Sequence, residues 1–199
     1  MKLINKSFCN EFFNFFRKAV HKLNIKDIEE LVIKLKKLRD EKGRVFFLGI
    51  GGSSANCSHA VNDFRKICNI ESYSLTENVS ELTARINDDG WPNSMVGYLK
   101  VSNIKRKDAL FVMSVGGGVK KKNVSVNIIN ALKFAKKKKV KIFGIIGKNG
   151  GYTAKVATKI ILVPTVNKEL ITPIAESMQA LVWHCIVSHP RLKINKTKW

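Results

Sequence analysis

The stretch that decides the fold is Val45-Phe46-Phe47-Leu48-Gly49-Ile50-Gly51-Gly52-Ser53-Ser54. Its four consecutive apolar residues are too few for a helix core and the right number for a strand covered on both faces, as in a parallel sheet. The glycines that follow allow a sharp turn and a close approach to a ligand. The serines add hydroxyls where the first amides of the next helix have no partner. The pattern therefore predicts a strand, a loop and a helix that together bind an anion, most often phosphate.

The same order of strand, glycine loop and helix occurs a second time. A predicted strand over Ala109 to Ser114 runs into Val115-Gly116-Gly117-Gly118, and a helix follows from about Val124. Further strands are predicted near Ser72 to Leu75, Lys141 to Ile146 and Ile160 to Val163. Crossovers of a dozen residues or more between strands predict a five-stranded, doubly wound parallel α/β sheet with helices on both faces. Ligands of such sheets bind at the carboxyl ends of the strands, where both glycine loops lie.

Helices are predicted around this sheet. An amphipathic helix from about 7 to 22 has a phenylalanine-rich face that we expect to pack against another subunit. A second helix begins at Asn24 or at Lys26-Asp27 and ends at Gly43. We expect one domain over 1–199, with an N-terminal helical segment over 1–42 and an α/β core over 43–190.

Two other predicted helices carry polar side chains suited to chemistry. One, from Ser54 to about Cys68, has His59 and Asp63 one turn apart on one face. The last helix, from about Thr172 to Val187, carries Glu176 and His184. A polar turn is predicted over the stretch Asn87-Asp88-Asp89-Gly90-Trp91.

Composition limits the class of protein. The chain of 199 residues is 45% hydrophobic and lacks an apolar run near the ~20 residues that span a bilayer, so we expect a soluble protein without a membrane partner. An interrupted apolar pattern at the N-terminus argues against a signal peptide. The four cysteines show no C-x-x-C pairing, which favours free thiols in the cytoplasm.

The formal net charge of +21 raises the question of a nucleic-acid partner. The lysines lie mostly in helical runs such as Lys136 to Lys139, without RNP-like aromatics or zinc-finger spacing, so we expect no nucleic acid and an attraction for anionic metabolites. A nucleotide cofactor is not expected either. The first glycine loop lacks the third glycine of the dinucleotide fingerprint, and neither loop has a Walker Gly-Lys-Ser/Thr.

The ordered set of motifs resembles the sugar isomerase (SIS) domain and, more narrowly, the phosphoheptose isomerases, which convert sedoheptulose 7-phosphate to glycero-manno-heptose 7-phosphate. The motifs are the loop Gly49 to Ser54, the helix with His59 and Asp63, the loop after Ser114, Gly147-Lys148-Asn149-Gly150-Gly151 and the C-terminal helix. The likeness extends from the second helix to about His189. It implies a flavodoxin-like sheet, a homotetramer with shared active sites, a sugar-phosphate substrate and, in some members, bound zinc.

The resemblance also implies roles for individual residues. Asp63 aligns with the family's glutamate base, His184 with its histidine acid/base, and His59 with a histidine that ligates zinc in some members. Glu176 stands where the family usually has glutamine and is the alternative base. The expected phosphate and substrate contacts are Gly51, Gly52, Ser53, Ser54, Asn87, Asp88, Ser114, Gly116, Gly117, Lys120 and Ser125.

The chemistry accounts for these residue types. Aldose-ketose isomerisation moves a proton between C1 and C2 through an enediol, so it needs a base for the carbon-bound proton and an acid for the oxygen. A zinc ion is a further hypothesis, with His59, Asp63, Glu176 and His184 as candidate ligands. Glu176 and His184 are about 12 Å apart along a straight helix, so His59 and Asp63 form the easier pair.

Two departures from the family pattern concern the substrate. Ile50 replaces an asparagine, and Val115 to Gly118 replace a Thr-Ser-Gly-Asn stretch, while Lys120, Lys121 and Lys122 arrive beside the loop. Lysine binds phosphate as a point charge, so we interpret the site as rebuilt. A non-catalytic sugar-phosphate sensor is the alternative function.

Overall fold

The structure of the chain is a computed structural model that describes residues 7–197. One parallel sheet of five strands forms its centre, in the order β2-β1-β3-β4-β5. The strands are β1 (Val45–Leu48), β2 (Ser72–Ser74), β3 (Ala109–Ser114), β4 (Lys141–Ile146) and β5 (Lys159–Leu162). This confirms the predicted fold class. The predicted bounds of β1, β3 and β4 agree with the structure to the residue.

Eight α-helices connect and flank these strands within the described residues. They are α1 (Phe8–His21), α2 (Ile25–Asp40), α3 (Gly52–Lys66), α4 (Val79–Asp89), α5 (Ser94–Val101), α6 (Val126–Lys137), α7 (Gly151–Val156) and α8 (Ile171–Ser188). In the part of the chain from residue 7 to 197, none of the helices combines the length and the apolar character that a bilayer crossing requires.

The two faces of the sheet carry separate hydrophobic cores. One core packs α1, α2, α3 and α8 against alternate strand residues such as Phe47, Phe111 and Phe143. The other packs α5 and α6 against the opposite set, which includes Phe46 and Leu110. Because both faces are covered, β1 and β3 are buried along their whole length, as their unbroken apolar runs predict.

Three local predictions need correction. The stretch Asn87 to Asp89 is the last turn of α4 rather than a polar turn, and the chain turns only at Gly90, whose φ is 74°. The glycines after β4 lead into the short helix α7, which the sequence pattern did not predict. The strand β5 begins and ends one residue earlier than predicted.

Candidate functional site

A cavity of about 950 Å³ lies at the carboxyl ends of β1, β3 and β4. The strand order reverses between β1 and β3, since the chain goes from β1 to β2 on one side and then to β3 on the other. Ligands of open α/β sheets bind at this switch point. We call this cavity the cradle; its walls include Ser53, Ser114, Ser125, Lys122, Lys148 and Lys168.

Three serine side chains line the cradle, and their local environments differ. Ser53, in the first turn of α3, is 2% exposed, and its Oγ has no hydrogen-bond partner among the described residues. The Ser114 Oγ accepts the amide of Gly117 at 3.0 Å, which leaves its own proton for a ligand. Ser125 precedes α6 in the left-handed conformation, with φ 54°. A buried hydroxyl without a partner costs about 1–3 kcal/mol, so the Ser53 hydroxyl is placed to bind a polar ligand.

The short helix α7 holds the second glycine loop in place. The Thr153 Oγ1 donates to the Gly117 carbonyl at 2.8 Å, and the Tyr152 amide donates to the Gly118 carbonyl at 2.8 Å. Gly117 has φ 66° and lies against the Gly150 carbonyl, so a side chain at this position would clash. The loop conformation therefore depends on glycine and on α7.

Lysines supply the positive charge of the cradle. Lys122, rather than Lys120, lies in its wall, together with Lys148 and Lys168, neither of which was among the predicted phosphate contacts. Their positions in the sequence could have predicted this role. Lys148 follows β4 and Lys168 lies beyond β5, at the carboxyl ends of strands, where ligands bind. Within the described residues, no carboxylate lines the cradle. A dianionic phosphate would be attracted to this cavity.

The helices α3 and α8 pack side by side and run in the same direction. Gly52 contacts Glu176, and the Asn56 amide group donates to the Gln179 Oε1 at 3.1 Å. One turn further along, the ring centroids of His59 and Trp183 lie 4.7 Å apart. This pairing brings His59 and Asp63 on α3 next to His184 on α8.

His59, Asp63 and His184 form a triad. One ligand atom of each lies within 4.8 Å of the others, in a cavity of about 230 Å³. Asp63 is buried at 7% exposure and accepts a hydrogen bond from the Asn62 amide group at 2.8 Å, whereas both histidines are exposed. A buried carboxylate beside two exposed imidazoles makes a cleft that is open to solvent on one side.

The donor set of the triad fits a catalytic zinc ion. The Nδ1 of His184 lies 2.8 Å from the Ala180 carbonyl oxygen, which can only accept, so Nδ1 carries the proton. The Nε2 of a neutral His184 is then free to bind a metal, with the carbonyl orienting the ring. Two imidazole nitrogens and one carboxylate oxygen are a donor set that catalytic zinc sites use, with a fourth position left for water or substrate.

Glu176 lies apart from this triad. Its carboxylate contacts Gly52 at the start of α3. A side chain at position 52 would collide with this carboxylate. Among the described residues, the group close enough to share an ion consists of His59, Asp63 and His184 without Glu176. The structure therefore brings together three of the four predicted metal ligands.

The remaining predicted contacts are divided between the cradle and other places. Gly116 lines the cradle, and Gly51, Gly52 and Gly117 shape the two loops around it. The Ser54 hydroxyl instead donates to the Thr76 Oγ1 at 2.6 Å. Asn87 and Asp88 are exposed on α4, where the Asn87 amide group donates to Asp88 at 2.8 Å. Among the described residues, the walls of the cradle and of the triad cavity do not include Asn87, Asp88 or Lys120.

Comparison with known proteins gives several relatives named phosphoheptose isomerase and one named as a lincomycin biosynthesis protein. A phosphoheptose isomerase from Sulfurimonas denitrificans is 30% identical over 168 residues, which cover 81% of this chain and 78% of that protein. The lincomycin biosynthesis protein LmbN from Streptomyces lincolnensis is 28% identical over 156 residues, or 74% of this chain. The chain spans 56% of the length of that relative. No profile of a known protein family matches the chain.

Solved structures give the same fold. The phosphoheptose isomerase GmhA from Neisseria gonorrhoeae superposes with a TM-score of 0.76 over 90% of this chain and 92% of that chain, at 20% sequence identity. At that identity the likeness shows the architecture, and the roles of single residues rest on the geometry described above.

Proposed function

The chain belongs to the phosphoheptose isomerase family of sugar isomerase (SIS) domain proteins, and from that premise we propose that it interconverts an aldose and a ketose phosphate. We propose sedoheptulose 7-phosphate as the substrate and the corresponding heptose 7-phosphate as the product. The observation that carries the proposal is the Ser53 hydroxyl, which lies buried in a lysine-lined cavity without a hydrogen-bond partner among the described residues. His59 and Asp63 lie further along the same helix, and His184 on α8 lies beside them.

The separation of the two sites supports a long sugar. Ser53 and Asp63 are ten residues apart on α3, or about 15 Å along the helix axis. In a heptose 7-phosphate the phosphate and the reacting carbons C1 and C2 lie at opposite ends of the chain. A pentose or hexose phosphate bound in the cradle is shorter, so its C1 would lie further from the triad.

Asp63 and His184 are the proposed proton-transfer groups. The Asp63 carboxylate takes the proton from one carbon and returns it to the neighbouring carbon, while the His184 Nε2 accepts the hydroxyl proton and passes it to the carbonyl oxygen. Zinc held by His59, Asp63 and His184 would supply Lewis-acid polarisation of the carbonyl. Because these two assignments use the same atoms, metal analysis of the purified protein decides which one applies.

A tetramer with shared active sites is part of the proposal. Phe8 and Phe13 on α1 are 68% and 63% exposed, and Phe12 packs its ring against that of Phe16 at 5.0 Å. A second copy packed on this face would remove these rings from water. The free thiols of the chain fit a reducing compartment, which supports a cytoplasmic enzyme.

One experiment tests the proposed activity. The protein is incubated with sedoheptulose 7-phosphate, and in parallel with hexose and pentose phosphates, and the ratio of aldose to ketose is followed by NMR. Turnover of the heptose phosphate alone is expected. Binding without turnover would instead support a sensor. The altered loop Val115 to Gly118 and the shorter carboxylate side chain of Asp63 favour that alternative.

A further inference from the structure

A second cavity, of about 510 Å³, lies at the amino edge of the sheet, opposite the cradle. Its walls come from α2 and the residue after it, from the loop before β3, from the first half of β4 and from Thr158, directly before β5. Five cationic side chains line it: Lys34, Lys37, Arg106, Lys107 and Lys141. We call it the basic cavity.

The positive charge of the basic cavity is largely uncompensated. One carboxylate, Glu41, lies in its wall and contacts Lys141 at 2.9 Å and Lys37 at 3.8 Å. The hydrogen bond from Lys141 lowers the pKa of Glu41, so this group stays ionised. Among the described residues, Lys34, Arg106 and Lys107 make no ion pair. Five cations and one anion leave about four positive charges around a single concavity.

This arrangement differs from a solvated lysine run. Lys136 to Lys139 follow one another at the end of α6, whereas the cations of the basic cavity converge from three segments that are distant in the chain. The Lys34 side chain is half-buried, and that of Lys141 is 30% exposed, so both are held against the wall. The Thr158 Oγ1 accepts the Ile142 amide at 3.1 Å, which leaves its proton to donate to a ligand.

We propose that the basic cavity binds a small molecule that carries a pyrophosphate group, such as a nucleoside diphosphate or triphosphate. A pyrophosphate matches the four uncompensated charges more closely than a single phosphate does. The volume lies within the ~300–1,000 Å³ range of small-molecule sites and leaves room beyond the phosphates. The site is separate from the cradle, because the two cavities lie at opposite ends of the same strands and share no wall residue among those described.

The test is calorimetric titration of the full chain at physiological salt with ATP, with UDP-glucose, with inorganic pyrophosphate and with inorganic phosphate. The double variant Arg106→Gln/Lys107→Gln removes two cations that have no ion pair in the described structure. The matched control, Lys133→Gln/Lys137→Gln, removes the same charge from exposed positions on α6 in the other helical layer. Circular dichroism checks that both variants are folded. A third variant, Ser53→Ala, tests whether the probe binds at the cradle instead.

We expect saturable 1:1 binding of a pyrophosphate-bearing probe that weakens about tenfold or more in Arg106→Gln/Lys107→Gln, which corresponds to about 1.4 kcal/mol. Affinity should stay within about twofold in the control and in Ser53→Ala. Comparison of ATP, UDP-glucose and pyrophosphate identifies which part beyond the phosphates is recognised. The proposal is overturned if no probe saturates, if both charge variants weaken binding equally, if Ser53→Ala abolishes it, or if a short RNA binds more tightly than every small probe.

Discussion

The imidazole rings of His59 and His184 lie 5.4 Å apart, centroid to centroid, with their planes at 85° to each other. They come from α3 and α8, and buried Asp63 lies within reach of both. The pair is brought together by the parallel packing of two helices that are distant in the chain.

This relationship predicts zinc binding at the triad. Titration of metal-free protein with Zn²⁺ should give one site per chain, and His59→Ala should weaken it by at least the ~10–100-fold that loss of a supporting contact costs. The control His21→Gln changes an exposed histidine on α1 and should leave the affinity unchanged. Equal affinity in His59→Ala and the wild type would remove the triad as the metal site.

In metal-free protein, where Asp63 and His184 are the proposed proton-transfer groups, Asp63→Asn should lower kcat by about 10²–10⁴-fold, because the amide cannot take the carbon-bound proton. The KM for the sugar phosphate should change little, since the proposed phosphate site lies at the other end of α3. Steady-state kinetics with the heptose phosphate measure both constants. Normal turnover in this variant would transfer the role of base to Glu176.

Glu176→Gln should keep kcat within a few-fold and lower the KM. The Glu176 carboxylate contacts Gly52 at the start of α3, so its negative charge lies close to the position expected for the substrate phosphate. The neutral amide removes that repulsion. The kinetics of this variant and of Asp63→Asn should be measured together, since a large loss of kcat here would contradict the assignment of Asp63.

Ser53→Ala should have opposite effects on stability and on binding. Removal of a buried hydroxyl that has no hydrogen-bond partner among residues 7–197 should stabilise the ligand-free protein by about 1 kcal/mol, or roughly 2–4 °C in the melting temperature. The same change removes a hydrogen bond to a charged phosphate, worth about 1.5–3 kcal/mol, so the KM should rise by roughly 10–100-fold. Ser58→Ala, at a half-buried position on α3, is the control, and calorimetry and kinetics are the measurements. Lower ligand-free stability together with an unchanged KM would show that Ser53 is structural.

The contact between Asp108 and Arg44 should make the free energy of unfolding depend on pH in the acid range. Burial acts to raise the pKa of Asp108, but hydrogen bonds from the Arg44 side chain, from the Arg44 amide and from the Lys105 amide outweigh it and lower the pKa. A lowered pKa means that the stabilisation is complete above the ordinary value of about 3.9 and is lost as the pH falls through the lowered one. Asp108→Asn should therefore cost about 3 kcal/mol at pH 7 and progressively less below pH ~4, as urea unfolding at several pH values would show. A pH-independent difference between variant and wild type would contradict this.

The sequence by itself was sufficient for the sheet and for half of the site. Unbroken apolar runs such as Val45 to Leu48 are compatible with a strand covered on both faces, and a glycine loop directly after such a strand lies at its carboxyl end whatever the details of packing. The positions of Ser53 and Ser114 at the cradle follow from that local rule. His59 and Asp63 share a face because of the helical repeat alone.

Tertiary structure decided three features that the local sequence pattern does not specify. Local pattern predicted a polar turn over Asn87 to Trp91, and this was wrong for Asn87 to Asp89, which form the last turn of α4, a helix that contacts α5. Whether Glu176 or His184 joins His59 depended on the relative shift of α3 and α8, which is fixed by interdigitating side chains along the whole interface. The basic cavity is invisible in sequence for the same reason, because its five cations become neighbours only when the sheet places α2 beside the amino ends of β4 and β5.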